Sequence, residues 1–232
     1  MIPILAPDPE SPFPPSDQVL ESPPGLLAAG GDLSPARLLN AYRHGIFPWY
    51  SDDQPILWWS PAPRCVLYPA DVHVSRRLKR HYNQGKVQLT ADRAFDKVIA
   101  ACAGPRRDHD ETWITSEMFA AYVRLHKLGV AHSVEVWVDG ELEGGIYGLS
   151  LGRVFFGESM FSNSKDASKF ALVALCRQLQ QWDYTVLDCQ ISNPHLLSMG
   201  AQEIQRHEFE QHLTTATETD HWQNDFHCAE RW

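Results

Sequence analysis

An acid and an amide lie two residues apart late in the chain, as Asp188 and Gln190. They end an apolar run that predicts a strand, and the period of two in a strand places both side chains on one face while Cys189 points away. A carboxylate and an amide on one face can together hold an amine. Spacing alone favours a sheet-edge or solvent-facing pair, so both interpretations stay open. Glu158, at the end of another predicted strand, adds a second acid to the candidate site.

The elements that must position these groups follow from sequence periodicity. Valines alternate from Val134 to Val138 and stop at Asp139-Gly140, which predicts a β-hairpin. The chain then returns and runs out again, so we expect a three-stranded meander. A helix with Leu172 and Leu175 on one apolar stripe follows, and the order strands, helix, strand predicts an α+β sheet. The predicted strands cover 134–138, 142–149, 154–157 and 184–190, and the helix covers 166–181.

A small amino-terminal domain is predicted before the sheet. Ser34 as N-cap, Pro35 in the first helical position and Gly45 after the last turn bound a helix. The stretch that follows is rich in aromatic residues and proline, and we place the domain boundary near 61–63. The chain therefore divides into a small domain over 1–62 and a larger one over 63–232. The polar tail from Ala201 predicts surface structure.

The densest basic cluster lies on a short predicted helix, 75–82. Such a cluster is more often a solvated face than a binding site. An aromatic platform beside a basic patch, however, is how proteins hold an unpaired nucleotide end. Trp49 and Trp113 are the candidates for that platform, and core packing is the alternative for each. The basic residues are Arg76, Arg77, Lys79 and Arg80.

Composition excludes several classes of protein. A chain of 232 residues that is 44% hydrophobic can form a sizeable core, and its net charge of −9 argues against nonspecific coating of nucleic acid. The longest apolar run, 170–176, is far below the roughly 20 residues of a membrane span, and the proline-rich start lacks a signal layout. We therefore expect a cytoplasmic protein that does not enter membranes.

Metal and cofactor motifs are absent from the sequence. The five cysteines form no C-x-x-C pair, and the eleven histidines form no H-E-x-x-H, so neither a disulfide framework nor a metal site is predicted. No phosphate-binding glycine loop suggests a nucleotide cofactor. The G-x-S-x-G string around Ser150 is followed by a predicted strand, not by the helix that a nucleophile elbow needs, so a hairpin turn is the better interpretation.

Taken together, several strings resemble the leucyl/phenylalanyl-tRNA-protein transferase family. The resemblance covers about 25–200, and the strings are long and rich in tryptophan. The matching strings are Gly30-Gly31-Asp32-Leu33-Ser34-Pro35, Gly45-Ile46-Phe47-Pro48-Trp49, Leu57-Trp58-Trp59-Ser60-Pro61, Thr112-Trp113-Ile114-Thr115, His132-Ser133-Val134-Glu135-Val136-Trp137, Gly144-Gly145-Ile146-Tyr147-Gly148, Gly157-Glu158-Ser159-Met160-Phe161-Ser162 and Leu187-Asp188-Cys189-Gln190.

The resemblance implies a fold and a reaction. The fold is a small amino-terminal domain plus a mixed sheet with flanking helices of the acyltransferase type, related to N-acetyltransferases. The reaction moves leucine or phenylalanine, and less readily methionine, from its tRNA to a protein that begins with Arg or Lys, marking that protein for degradation. No cofactor and no metal are implied.

The resemblance also implies site residues. For the reaction itself our own hypothesis is that Asp188 orients the acceptor amine or accepts its proton, Gln190 hydrogen-bonds the amine or the reacting carbonyl, and Glu158 positions Gln190. By resemblance, the other site residues are these. Trp49 and Trp113 would flank the 3′-terminal adenosine, and the basic cluster would meet acceptor-stem phosphates. The aminoacyl side chain would lie against Ile146, Phe155, Met160, Leu172 and Leu175. The family often has methionine in place of Ile146 and an aromatic residue in place of Leu175, which leaves the preference among the three donors open.

Two other functions are compatible with the same elements. An acetyl-CoA-dependent N-acetyltransferase would share the sheet order, but 161–169 lacks the glycines whose backbone amides hold a pyrophosphate in that class. A noncatalytic tRNA-binding or peptide-binding adaptor could share the scaffold. The presence of Asp188, Gln190 and Glu158 argues against the adaptor.

Overall fold

The computed structural model describes residues 2–85, 87–104, 114–216, 221–223, 225–227 and 232. The helices are α1 (Pro35–Arg43), α2 (Arg76–Gln84), α3 (Phe95–Ala103), α4 (Ser116–Lys127), α5 (Ala167–Gln181), α6 (Pro194–Ser198) and α7 (Arg206–Ala216). The strands are β1 (Ile4–Leu5), β2 (Leu26–Gly30), β3 (Phe47–Pro48), β4 (Leu57–Trp59), β5 (Arg64–Leu67), β6 (Val87–Ala91), β7 (Ala131–Val138), β8 (Glu141–Leu151), β9 (Val154–Ser162), β10 (Val186–Gln190) and β11 (Gln202–Ile204).

The larger sheet has seven strands in the order β11-β5-β10-β9-β8-β7-β6. Its strands pair antiparallel except for β9 and β10, which run parallel because α5 crosses between them. The predicted meander is confirmed as β7, β8 and β9. Asp139 and Gly140 both adopt positive φ, 51° and 88°, as a two-residue hairpin turn requires. The predicted α+β class, with a mixed sheet and flanking helices, is confirmed.

A second sheet of four strands, in the order β1-β2-β4-β3, lies in the amino-terminal segment together with α1. The predicted first helix is confirmed: the Ser34 hydroxyl accepts a hydrogen bond from the Arg37 amide at 3.3 Å, and Pro35 is its first residue. Along the chain, β4 is the last strand of the smaller sheet and β5 is the first strand of the larger sheet. The predicted division into domains at 62 stays a prediction, and one apolar cluster contains both Tyr42 of α1 and Tyr147 of β8.

The larger sheet is covered by α5 on one face. Ten of its fifteen residues are buried, because the apolar stripe along the helix is wide. The helix packs against β7, β8 and β9. A Cβ on Gly144 would lie only 2.6 Å from the Ala167 side chain, so the absence of a side chain there lets the first turn of α5 approach β8 closely. That approach places the start of α5 beside the end of β9, because Gly144 pairs with Ser162.

The expectation that the tail from Ala201 is surface structure is wrong for its apolar residues. Phe209 and Leu213 of α7 are buried, and Trp232 is only 7% exposed. Trp222 and Phe226 pack against the core cluster that contains α5. Polar composition hid these side chains because each is isolated among polar or charged residues in the sequence. Among the described residues, no helix combines the length and apolarity that a membrane span needs.

Candidate active site

A cavity of about 190 Å³ lies beside the carboxyl end of β10. Its apolar wall includes Ile146 of β8, Met160 of β9 and Leu172 of α5, and Glu158 and Gln190 supply polar groups on its lining. Sites for drug-sized ligands are usually about 300–1,000 Å³, so this cavity suits an amino-acid side chain better than a large cofactor. One end of such a ligand would be apolar and the other would face an amide and a carboxyl group.

Glu158 is held by three hydrogen bonds that come from three separate elements. The Tyr42 hydroxyl of α1 donates to Oε1 at 2.7 Å, and the Tyr122 hydroxyl of α4 donates to Oε2 at 2.8 Å. The third donor is Gln190 Nε2, 3.1 Å from Oε1. The two tyrosine hydroxyls also contact each other. Since the Gln190 nitrogen is turned to Glu158, the amide oxygen is the end of that side chain available to a ligand.

Burial raises the pKa of Glu158 to about 7. Hydrogen bonds from Tyr42 and Tyr122 oppose this rise by favouring the carboxylate, whereas the charge of Asp188 adds to it. Burial also raises the pKa values of both tyrosines, so they remain neutral donors. The result is a carboxyl group that changes charge near neutral pH while its three donors stay in place.

The end of β10 departs from the simple alternation that the sequence predicts. The register against β5 shifts between Asp188 and Gln190, and Gln190 has a φ of 63°, in the left-handed region. The Gln190 amide donates to Asp188 Oδ1 at 3.0 Å, which stabilises this bulge. Gln190 consequently lines the cavity, whereas Asp188 is fully buried behind it. The two side chains are joined through the backbone rather than exposed as a pair.

Asp188 has a partner that sequence reasoning missed. Arg64, the first residue of β5, donates from Nε to Oδ1 at 2.8 Å and from Nη2 to Oδ2 at 2.7 Å. Its Nη1 donates to the Gly45 carbonyl at 3.0 Å, and its guanidinium lies 5.1 Å from the Phe47 ring and 4.5 Å from the Phe209 ring. Both charges are buried, so the pair is stable only because each donor and acceptor is matched.

The structure brings some of the predicted pocket residues together and leaves others apart. Ile146, Met160 and Leu172 line the cavity. Phe155 and Leu175 are buried in the same apolar cluster but are not among the lining residues. Their assignment to the pocket therefore stays a prediction. Three further site residues had only weak signals in the sequence. Arg64 is a charged residue at the start of an apolar strand, and Tyr42 and Tyr122 lie on the inward faces of helices, where ordinary core packing explains a tyrosine equally well.

The predicted nucleotide platform is described only in part. Trp49 is 41% exposed, its ring centroid lies 5.5 Å from that of Trp59, and its carbonyl accepts a hydrogen bond from Trp59 Nε1 at 2.7 Å. It lines a separate groove of about 310 Å³ with Tyr50 and Leu57. Trp113 lies outside the described residues. The predicted role of the two tryptophans stays a prediction.

The basic cluster forms the outer face of α2. Arg76, Arg77, Lys79 and Arg80 are all exposed, and Arg77 lies 3.7 Å from Asp166 at the start of α5. The exposed charges make a positive surface on an acidic protein, and their predicted contact with phosphates stays a prediction. Within the described part of the chain, no group of three or more His, Cys, Asp or Glu side chains is arranged to hold a metal ion.

The chain matches one protein family over most of its length, and the residues that line the cavity all fall within the matched segment. Residues 66–214 match the family described as leucyl/phenylalanyl-tRNA protein transferase, and 31–62 match its amino-terminal domain. A leucyl/phenylalanyl-tRNA--protein transferase of Aromatoleum aromaticum is 59% identical over 209 residues, covering 90% of this chain and 87% of that protein. One of Nitrosomonas europaea is 56% identical over 204 residues, covering 88% and 86%.

A solved structure shows a more distant likeness. A ribosomal-protein-alanine N-acetyltransferase from Brucella melitensis biovar Abortus is 17% identical, with a TM-score of 0.33, over 44% of this chain and 79% of that chain. The sequence relatives, by contrast, are similar over most of both chains and carry one name. This chain belongs to the leucyl/phenylalanyl-tRNA protein transferase family.

Proposed function

We propose that this chain is an aminoacyltransferase that moves the aminoacyl group of a charged tRNA to the amino terminus of an acceptor protein. The observation that carries the proposal is the cavity, which joins an apolar wall to Gln190 and Glu158 within the segment that matches the family. The product has one extra amino-terminal residue, which marks it for degradation. Because charged tRNA is a cytoplasmic substrate, we assign the reaction to the cytoplasm.

The donors that we propose are leucyl-, phenylalanyl- and, less readily, methionyl-tRNA. A cavity of about 190 Å³ walled by Ile146, Met160 and Leu172 can read only the shape of an apolar side chain. Methionine in the wall adapts to occupants of different shape, which suits a site that accepts three donors. Branching at Cβ would crowd the entrance beside Gln190, so valine and isoleucine are poor fits.

The acceptor is a protein with Arg or Lys as its first residue. Its neutral α-amine attacks the carbonyl carbon of the aminoacyl ester, a C–N bond forms, the C–O bond to the 3′-terminal ribose breaks, and the amine proton ends on that ribose oxygen. The ester is already activated, so holding the two reactants together supplies most of the rate, roughly 7–11 kcal/mol of barrier. No covalent enzyme intermediate and no cofactor are needed.

The polar residues have distinct roles in this proposal. The Gln190 amide oxygen accepts a hydrogen bond from the acceptor amine and aims its lone pair at the ester carbonyl. Glu158 fixes the orientation of the Gln190 amide through the 3.1 Å contact with Nε2. Asp188 is already bonded to Arg64 and to the Gln190 amide, which favours an orienting role over proton abstraction.

The tRNA is held at two further places in this proposal. Trp49 and Trp113 flank the terminal adenosine, and the exposed face of α2 meets the acceptor-stem phosphates through Arg76, Arg77, Lys79 and Arg80. Like charges on one helix face repel unless an anion lies against them, and an RNA backbone supplies that anion.

An acetyl-CoA-dependent transferase is not favoured. In that class, backbone amides at the start of the helix after the sheet hold a pyrophosphate. Here the Ser168 amide donates to the Ser162 hydroxyl at 3.2 Å and the Ala167 amide donates to the Ser164 carbonyl at 3.3 Å, so these donors are already engaged. The cavity is also small for a coenzyme.

A transfer assay with labelled leucine tests the function. Leucyl-tRNA carrying the label is mixed with a peptide that begins with Arg, and with the same peptide whose α-amine is acetylated. We expect label in the free peptide only, and Gln190→Ala should reduce the rate by on the order of 10²-fold, the scale for misplacement of a reacting group. Gln202→Ala is the matched control, since Gln202 is an exposed glutamine of β11 that does not line the cavity. Equal rates for wild type and Gln190→Ala would remove Gln190 from the mechanism.

A further inference from the structure

Trp232 packs against the basic helix from its inner side. Its ring stacks on Tyr82 of α2 with ring centroids 4.0 Å apart and planes 10° from parallel. The edge of the ring meets Phe170 of α5 at 5.6 Å, and the guanidinium of Arg177 lies 4.9 Å from the ring. Trp232 is thus buried between the last turn of α2 and the middle of α5.

Backbone hydrogen bonds add to this contact. The Trp232 amide donates to Asn83 Oδ1 at 2.9 Å, and Asn83 Nδ2 donates to the Trp232 carbonyl at 3.2 Å. This reciprocal pair resembles one rung of a β-ladder, and it fixes the direction of the chain at Trp232 as well as its ring. Two successive residues of α2, Tyr82 and Asn83, are therefore bound to the same distant residue.

The sequence of α2 gives the helix little stability of its own. Arg76 and Arg77 occupy its first turn, where the helix dipole favours acids, and no acid is present there. Arg76 also lies three residues from Lys79 and four from Arg80, so like charges are neighbours along the helix. A helix of nine residues is marginal on its own, and this one buries only Leu78 and Tyr82.

We propose that Trp232 is a positioning residue for tRNA binding, because it holds α2 in register so that its four exposed cations meet the acceptor-stem phosphates together. The proposal rests on the function given above. Asp166 restrains α2 through Arg77 at 3.7 Å and His81 at 3.0 Å, and Trp232 restrains it through Tyr82 and Asn83. A helix ordered before binding loses less conformational entropy when the RNA arrives.

Paired substrates separate this role from general stability. Leucyl-tRNA and leucyl-adenosine carry the same reacting ester, but leucyl-adenosine has no acceptor stem. For Trp232→Ala we expect KM for leucyl-tRNA to rise roughly tenfold and its dependence on salt to flatten as phosphate contacts are lost. The kcat with either substrate and KM for leucyl-adenosine should stay within twofold. Trp232→Phe, which preserves the stack on Tyr82, should restore most of the affinity.

Trp222→Ala is the matched control. Trp222 lies in the same tail and is partly buried, and its ring contacts Trp182 and His132 rather than a residue of α2, so it tests the effect of losing an indole of the same size. It should leave KM for leucyl-tRNA unchanged. If Trp232→Ala prevents folding, Asn83→Ala removes only the reciprocal hydrogen bonds and should weaken tRNA binding in the same direction.

Direct binding separates failure of this inference from failure of the proposed function. Fluorescence anisotropy with labelled, uncharged tRNA measures affinity without any transfer, and wild type should bind more tightly than Trp232→Ala and to the same extent as Trp222→Ala. Equal affinity of wild type and Trp232→Ala for tRNA, or an equal change in KM for leucyl-tRNA and leucyl-adenosine, would overturn the positioning role. If wild type binds tRNA but transfers no leucine, the proposed function fails and the role of Trp232 in binding stands.

Discussion

Glu158 gives the site a group that changes charge within the physiological pH range. As a carboxylate it accepts all three hydrogen bonds, and the amide of Gln190 is held with its nitrogen inward. Once protonated, one of its oxygens becomes a donor and competes with the tyrosine and glutamine donors. We therefore infer that the productive orientation of Gln190 belongs to the ionised form.

This inference predicts a particular pH dependence. The kcat for leucine transfer should rise with pH through about 7, the pKa of Glu158, and again toward the ordinary pKa of the acceptor amine, near 8. Glu158→Gln should abolish the first rise and retain the second, as measured by pH-rate profiles of both proteins.

A stability measurement checks the sign independently. The raised pKa means that native Glu158 keeps a proton that the unfolded chain has lost, so its contribution to stability falls as pH rises from about 4.5 to about 7. The Tm of Glu158→Gln relative to wild type should increase over that interval. A constant difference in Tm across the interval would contradict the raised pKa.

Leu172 offers a test of the apolar wall. Leu172→Ala enlarges the cavity, so leucine loses contacts while phenylalanine can fill the added space, and we expect the ratio of kcat/KM for phenylalanyl- over leucyl-tRNA to rise by roughly tenfold. Leu175→Ala is matched in chemistry and burial, since both residues are fully buried on α5. Each substitution should cost about 2–5 kcal/mol of stability. A shift in donor preference for Leu175→Ala would place that residue in the pocket too.

At the scale of single elements, the bulge at the end of β10 decides how the site is built. It turns Gln190 toward the cavity and leaves Asp188 paired with Arg64 behind the strand. A bulge beside a site commonly re-aims one side chain in this way. The Asp188 carboxylate therefore affects the reaction through its hydrogen bond with the backbone amide of Gln190.

Asp188→Asn separates an orienting role from proton abstraction. The amide oxygen can still accept from the Gln190 backbone, but Arg64 is left buried without a counter-charge, which costs about 3–5 kcal/mol of stability. We expect a large fall in Tm. At a temperature where the variant is folded, the rate of leucine transfer should fall by less than about tenfold. A loss of 10²–10⁴-fold in fully folded protein would instead identify Asp188 as a general base.

The elements that could be predicted from the sequence are those with local signals. The meander follows from alternating valines and Asp139-Gly140, and α1 follows from Ser34 and Pro35. The helix α3 lacks such signals, since Ala94 precedes it without a side-chain cap. The strand β9 was predicted to end at Gly157 but continues to Ser162, because the polar Glu158 and Ser159 face the site and break the apolar pattern.

The site was predictable in part for the same reason. Gln190 stood out as a polar residue on a predicted strand and Glu158 as an acid directly after one, and the structure joins them by a hydrogen bond. The partners of these residues come from distant parts of the chain: Tyr42 lies 116 positions from Glu158, and Arg64 lies 124 from Asp188. Pairing over such separations depends on the assembled fold, and neither periodicity nor capping encodes it.

At the scale of the whole molecule, the amino-terminal segment is built into the site. Tyr42 reaches Glu158 from α1, the Gly45 carbonyl accepts from Arg64, and the Phe47 ring lies against the same guanidinium. The apolar cluster beneath them runs from Leu27 and Trp58 to Phe156. A predicted domain boundary at 62 therefore separates segments of sequence that share one core.

Shared packing predicts cooperative unfolding. Calorimetry should show one transition for the whole chain, with the calorimetric enthalpy equal to the van't Hoff enthalpy, because neither segment can lose its structure without exposing the other. Tyr42→Phe removes one hydrogen bond to Glu158 and should lower the Tm of that single transition. Two resolved transitions would show that the segments are independent domains.

One competition experiment tests the proposed reaction most directly. Wild-type protein receives a peptide that begins with Arg together with equal amounts of leucyl-tRNA, valyl-tRNA and acetyl-CoA, and mass spectrometry identifies the group joined to the peptide. A cavity that reads side-chain shape beside Gln190 predicts a leucyl peptide as the dominant product, with little valyl and no acetyl product. An acetylated peptide, or equal leucyl and valyl products, would contradict the proposed reaction at this site.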